Sequence, residues 1–134
     1  MIVVDASVLA NAVADDAADG DLARRALRGE VLAAPDLADV ETVSVLRRRW
    51  LDGTLSARRF RAAVGDLGAL PVLRHPTLPL MRRAYELRGN LTAYDAAYVA
   101  LAEGLACTLL TGDARLARAP GPRCSIQLLA PNRR

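Results

Sequence analysis

The stretch Ile2-Val3-Val4-Asp5-Ala6-Ser7-Val8-Leu9 decides how the chain is read. A short apolar run closes on an acid, and a helix-forming run begins straight after it. Ile2 to Asp5 reads as a buried strand and Ala6 to Val13 as the helix that follows. The construction returns near the other end, where Leu109-Leu110 leads into Thr111-Gly112-Asp113. Two further acids fall in the early turns of predicted helices. Asp95 stands three residues after Thr92 at a helix start, and Glu41 lies in the second turn of a helix that begins after Pro35. Asp5, Glu41, Asp95 and Asp113 are therefore candidates to meet at one end of a parallel sheet. A carboxylate cluster there suits a hard divalent cation, which takes oxygen ligands.

Chain lengths support the convergence. A helix from Asp95 to about Glu103 descends about 13–14 Å at ~1.5 Å per residue. A strand from about Cys107 to Gly112 climbs back about 16–17 Å at ~3.3 Å per residue. The two nearly cancel, so Asp95 and Asp113 end at similar heights. Asp5 and Asp113 can reach one ion if their strands are neighbours, about 4.7–4.9 Å apart. Glu41 starts lower on its helix, but helical side chains tilt toward the N-terminus, so it can point back up.

Each acid alone has an ordinary alternative. Asp5 and Asp113 fit helix N-caps. Thr92-Ala93-Tyr94-Asp95 has the form of a capping box. Glu41 could be a solvated helical acid, although Leu37, Ser44, Val45 and Arg48 share or border its face. Four unrelated caps do not account readily for the set.

Between these points strands alternate with helices. Helices are predicted over Leu22–Arg28, Asp36–Leu51, Ser56–Leu67 and Leu78–Leu87, from Asp95, and through Arg118. Strands are predicted over Val31–Ala33, Leu70–Leu73, Thr108–Thr111 and Ile126–Leu129. Asp15 to Asp21 reads as an acidic loop capping the Leu22 helix, and Pro35 as a break. The alternation implies an α/β fold with a mainly parallel sheet covered by helices on both faces. Residues 1–130 read as one domain and 131–134 as a loose tail. At 134 residues and 52% hydrophobic, the chain is long and apolar enough for a real core rather than disorder.

No run approaches the roughly 20 apolar residues of a membrane span. The start of the chain has no basic segment or small-residue cleavage site, so a cytoplasmic protein is expected. Cys107 and Cys124 lack zinc-like spacing and a nearby His, and are expected as reduced, partly buried thiols. All 18 basic residues are Arg, and the formal charge is +3. With the four acids set aside the rest of the chain is more positive still. That suits a polyanion held near a metal ion, or equally reflects the composition of a GC-rich genome.

The absence of Lys excludes several α/β chemistries. A response-regulator receiver needs a Lys beside its phosphorylated Asp. A haloacid-dehalogenase phosphatase needs a Lys and an Asp-x-Asp opening, whereas here the opening is Asp5-Ala6-Ser7. A P-loop needs its Lys and a Gly-rich loop. His75 is the sole histidine, next to Pro76 in a predicted loop, so Ser-His-Asp and Cys-His catalysis are unsupported.

With these residues in hand, the chain resembles PIN-domain proteins, specifically toxins of the VapC type. The matching segments, in the family's order, are Ile2 to Leu9, Pro35-Asp36-Leu37-Ala38-Asp39-Val40-Glu41, Leu91 to Tyr98 and Leu109 to Asp113. The resemblance implies a five-stranded sheet in the order 3-2-1-4-5 and a metal-dependent endoribonuclease using Mg²⁺ or Mn²⁺. It gives metal-ligand roles to Asp5, Glu41, Asp95 and Asp113, and places Thr111 and Ser7 as hydroxyls beside them. It further implies an RNA substrate, a homodimer and a VapB-type antitoxin whose C-terminal segment covers the groove. Gly112 departs from relatives that often carry a larger, frequently basic residue there, which leaves the acids intact but does not carry over the RNA contact such a residue could make. Competing readings are an inactive scaffold that binds RNA or protein, and a structure-specific DNA nuclease.

Arg48 lies seven residues after Glu41, on nearly the same helical face. It is read either as part of a solvated helix end, favourable near the C-terminal dipole, or as a contact to RNA phosphate or an antitoxin acid. Arg49, about 100° around the helix, serves as the control.

Overall fold

The chain alternates strands and helices as its hydrophobic pattern demands. The computed structural model describes residues 1–130, and the tail expected at 131–134 lies outside them. Its elements are β1 (Ile2–Val4), α1 (Ala6–Ala14), α2 (Ala18–Leu27), β2 (Leu32–Pro35), α3 (Leu37–Leu51), α4 (Ala57–Ala69) and β3 (Val72–His75). A single 3₁₀ turn (Leu78–Leu80) then leads into α5 (Met81–Glu86), α6 (Ala93–Leu105), β4 (Thr108–Thr111), α7 (Ala114–Arg118) and β5 (Ile126–Leu128). The sheet is parallel throughout, in the order β3-β2-β1-β4-β5.

The central strands contain little but Val, Leu and Ala because both of their faces are buried. Val3, Val4, Ala33 and Leu109 are fully enclosed. The chain order reverses between β1 and β4, so right-handed crossovers put α1–α4 on one face and α5–α7 on the other. α1 packs on α2, α3 and α4, while α6 packs on α5 and lies along β1, β2 and β4. A second apolar cluster, around Ala10, Val13, Leu46, Ala63 and Leu67, joins α1 to α3 and α4. No helix among the described residues is long and apolar enough to cross a membrane.

Four local expectations shift. α2 begins at Ala18 instead of Leu22, because the Asp15 carboxylate accepts from Ala17 N–H and Gly20 N–H and so satisfies its first turn. Gly20 is required there, since a Cβ would stand 1.7 Å from the Asp15 carbonyl oxygen. Pro35 ends β2 instead of breaking the chain before the next helix. β1 pairs with β2 only as far as Val3–Ala33, so the missing Pro35 N–H costs no ladder bond. α4 runs on to Ala69 with Leu70 as its C-cap, which delays β3 to Val72. The expected Leu78–Leu87 helix opens as a 3₁₀ turn containing Pro79. Cys107 and Cys124 are both free and half-buried, as expected.

Candidate active site

Strand ends and helix starts carry the four acids to the C-terminal end of the sheet's strands. Asp5 follows β1 and caps α1, its Oδ1 accepting Val8 N–H at 3.2 Å. Asp113 follows β4 and caps α7, its Oδ1 accepting Arg115 N–H at 2.9 Å. Asp95 is in the first turn of α6, whose Thr92 cap accepts Asp95 N–H at 3.2 Å. Capping is therefore real for Asp5 and Asp113, whose carboxylates it also orients, whereas Asp95 is placed by the first turn that Thr92 caps. β1 and β4 are direct neighbours, with Val4 opposite Leu110, so Asp5 and the Thr111–Asp113 turn leave adjacent strands.

Asp5 is the most enclosed of the four, 6% exposed. Ser7 Oγ–H donates to Oδ1 at 2.5 Å, and Thr111 Oγ1–H donates to Oδ2. Each hydroxyl also accepts a backbone amide of the next loop. Gly112 N–H reaches Ser7 Oγ and Asp113 N–H reaches Thr111 Oγ1, both at 3.0 Å. These two relays tie the loop after β4 to the end of β1. Gly112 is tight against Ser7, whose Oγ would lie 3.2 Å from an added Cβ. A larger residue at 112 would press on one of the two hydroxyls that hold Asp5.

Electrostatics link the acids. Burial pushes the Asp5 carboxyl up, against the pull of its hydrogen bonds from Ser7 and Thr111. Glu41 is raised first by burial and then by the charges of Asp95 and Asp5, with the Tyr98 hydrogen bond opposing. Asp95 is raised by burial and by the charges of Asp113 and Asp5. The only ion pair to any of the four is a 4.0 Å contact between Asp113 and the fully solvated Arg115, among the described residues. Weak pairs of this kind contribute little. The site is thus a set of like charges with only one weak, solvated counter-charge, which is what a divalent cation neutralises.

Among the described residues, no three His, Cys, Asp or Glu side chains are yet gathered tightly enough to close on one ion. Glu41, Asp95 and Asp113 are half-buried, and a bound ion would have to draw the acids together against their mutual repulsion. The donors are all oxygens, fitting Mg²⁺ or Mn²⁺ rather than a soft metal. Asp95 and Asp113 share a cleft of about 230 Å³ with Asn90, Thr92 and Arg115. A larger cavity, about 920 Å³, lies elsewhere, around Asp15, Arg49 and Arg59, and none of the four acids lines it.

Tyr98 was not expected in the site. Its hydroxyl donates to Glu41 Oε1 at 2.8 Å from a ring only 1% exposed. Burial, then the Glu41 charge, pushes its pKa far up, so it remains a donor. The available signal was its place one helical turn after Asp95, where a buried phenol needs a polar partner. Arg48 is exposed, and among the described residues it makes no side-chain hydrogen bond or ion pair with the acids. Arg49 is unsuited as its control, because its guanidinium donates to Asn11 Oδ1 at 2.7 Å.

The PIN domain family matches residues 2–122. The chain belongs to that family. Within it, this PIN domain is 42% identical over 130 residues to Ribonuclease VapC12 of Mycobacterium tuberculosis, covering 97% of this chain and 100% of the relative. Ribonuclease VapC1 of the same organism is 44% identical over 128 residues, covering 95% and 96%. The crystal structure of M. tuberculosis VapC20, a sarcin-ricin loop cleaving toxin, superimposes with a TM-score of 0.69 at 20% identity. That match covers 87% of this chain and 93% of VapC20, and it bears on the fold alone. The expected sheet order and α/β architecture are those observed.

Proposed function

We propose that this PIN domain is the ribonuclease toxin of a toxin–antitoxin pair, hydrolysing RNA phosphodiester bonds in the cytoplasm with Mg²⁺ or Mn²⁺. The observation that carries the reading is the convergence of Asp5, Glu41, Asp95 and Asp113. They leave the adjacent strands β1 and β4 and the starts of α3 and α6 close enough that burial first, and then one another's charges, raise Glu41 and Asp95. Identity of 42–44% over nearly the full length to VapC ribonucleases supports the substrate class.

In this reading Asp5 and Asp95 hold the ion directly, and Glu41 and Asp113 do so directly or through water. The bound ion supplies charge neutralisation at the phosphoryl oxygens and an activated water. Asp5 has its orientation set before any ion arrives, because Ser7, Val8 and Thr111 occupy most of its acceptor positions. Ser7 and Thr111 therefore act by aiming Asp5. The remaining Arg-rich surface attracts the RNA backbone. A VapB-type antitoxin would cover the groove, and a homodimer is the proposed assembly.

The test is cleavage of RNA by metal-stripped protein with Mg²⁺, with Mn²⁺ and with chelator, beside parallel DNA substrates. Metal-restored RNA cleavage that Asp5→Asn and Asp95→Asn abolish is the expected result. Near-wild-type turnover by highly purified Asp5→Asn would overturn the assignment.

A further inference from the structure

The four acids differ in how they are held. Asp5 receives two hydroxyls and an amide, and Asp113 receives an amide. Asp95 is anchored by its place in the Thr92 capping turn. Glu41 has the longest side chain of the set, sits within a helix rather than at its cap, and is pushed by the charges of Asp5 and Asp95. Among the described residues its one hydrogen-bond partner is the Tyr98 hydroxyl.

We infer that Tyr98 is the positioning residue for Glu41, its buried hydroxyl pinning Oε1 and leaving Oε2 as the oxygen offered to the ion. This rests on the proposed role of Glu41 as a ligand. The ring of Tyr98 is enclosed by the core, with Ala96, Ala97, Val99 and Leu101 of α6 also buried, so packing and not solvent sets where the hydroxyl stands. Glu41 belongs to α3 and Tyr98 to α6, fifty-seven positions apart, so the bond also locks one layer of helices to the other above the sheet edge. Without it, a half-exposed carboxylate repelled by two neighbours turns toward water, and the ion must draw it back against that repulsion. Pre-orienting a ligand in this way is how partners of ligating groups raise metal affinity.

The test is Mn²⁺ affinity of metal-stripped protein, read by the electron paramagnetic resonance of free Mn²⁺. It compares wild type, Tyr98→Phe, Glu41→Ala and the double variant, with circular dichroism to verify folding. Tyr98→Phe keeps the buried ring and removes only the hydroxyl. It is expected to weaken Mn²⁺ binding roughly tenfold to a hundredfold, the scale on which losing the hydrogen-bond partner of a ligating group lowers metal affinity. In the Glu41→Ala background it should change affinity less than about twofold, because the residue it acts through is gone. If Glu41→Ala weakens Mn²⁺ binding but Tyr98→Phe does not, the inference is wrong while Glu41 stands as a ligand. If Tyr98→Phe weakens binding equally in both backgrounds, it acts through general packing and the inference is also wrong. If Glu41→Ala itself leaves affinity unchanged, the ligand role falls and takes the inference with it.

Discussion

Replacing Thr111 by Val removes one hydroxyl while keeping the shape of a fully buried side chain. That hydroxyl donates to Asp5 Oδ2 and accepts Asp113 N–H at 3.0 Å. Water can replace it at Asp113, which is half-exposed, but not at the buried Asp5. A hydrogen bond to a charged group contributes about 1.5–3 kcal/mol, and a buried acceptor left unpaired stands at the upper end of that range. Thr111→Val should therefore destabilise the metal-free protein by about 2–3 kcal/mol. For a chain of this size that lowers Tm by roughly 6–12 °C. Ser7→Ala should cost less, about 1 kcal/mol, because Oδ1 keeps Val8 N–H and the Ser7 site is partly open.

The Thr111 penalty should depend on pH in a set direction. The Asp5 carboxyl is already raised above its ordinary value by burial. A raised carboxyl contributes stability below its unfolded pKa and loses it as pH rises through the folded pKa. Losing the Thr111 donor raises the folded pKa further, so the variant loses more stability over that climb. The difference between wild type and variant is then greatest at neutral pH and shrinks as Asp5 protonates in acid. Urea unfolding in chelator, at neutral and mildly acidic pH, measures it. A neutral-pH loss below about 0.5 kcal/mol, or a loss that does not change with pH, would refute the reasoning.

Asp95→Asn should abolish cleavage yet raise Tm in chelator at neutral pH, because it removes a charge that Asp113 and Asp5 oppose; an unchanged or lower Tm speaks against that repulsion. In acid, where the raised Asp95 carboxyl is already protonated, the gain should vanish. Thr42→Val should stabilise by about 1 kcal/mol in thermal unfolding, since the Thr42 hydroxyl is buried without a partner among the described residues and Val keeps its shape. Arg48→Ala should weaken RNA binding and lower the salt slope by about one, while Arg47→Ala, also exposed, should not; equal effects leave only a solvated helix end. Light scattering at micromolar concentration should give about twice 14.3 kDa, and a monomer at all concentrations would count against the dimer.

Much of the fold was legible along the chain because its signals are local. Apolar runs broken by helical periodicity gave the strand and helix order, and Thr108–Thr111 is the strand observed, end to end. Thr92 named its helix in advance, since a cap bonds its own first turn. The errors were local effects whose partners are not obvious in order. Asp15 starts α2 from two residues before its cap, and Pro35 survives in a central strand only because β1 stops short of it.

By itself the sequence determined an alternating α/β chain with acids Asp5, Asp95 and Asp113 at helix starts, because period and capping are properties of neighbouring residues. Tertiary structure alone decided which distant groups meet. It brought Thr111 to Asp5 across one hundred and six positions and Tyr98 to Glu41 across fifty-seven, and turned Arg49 toward Asn11 instead of solvent. Those partners are set by strand order and helix packing, and no residue carries the identity of a contact made from the far side of a sheet.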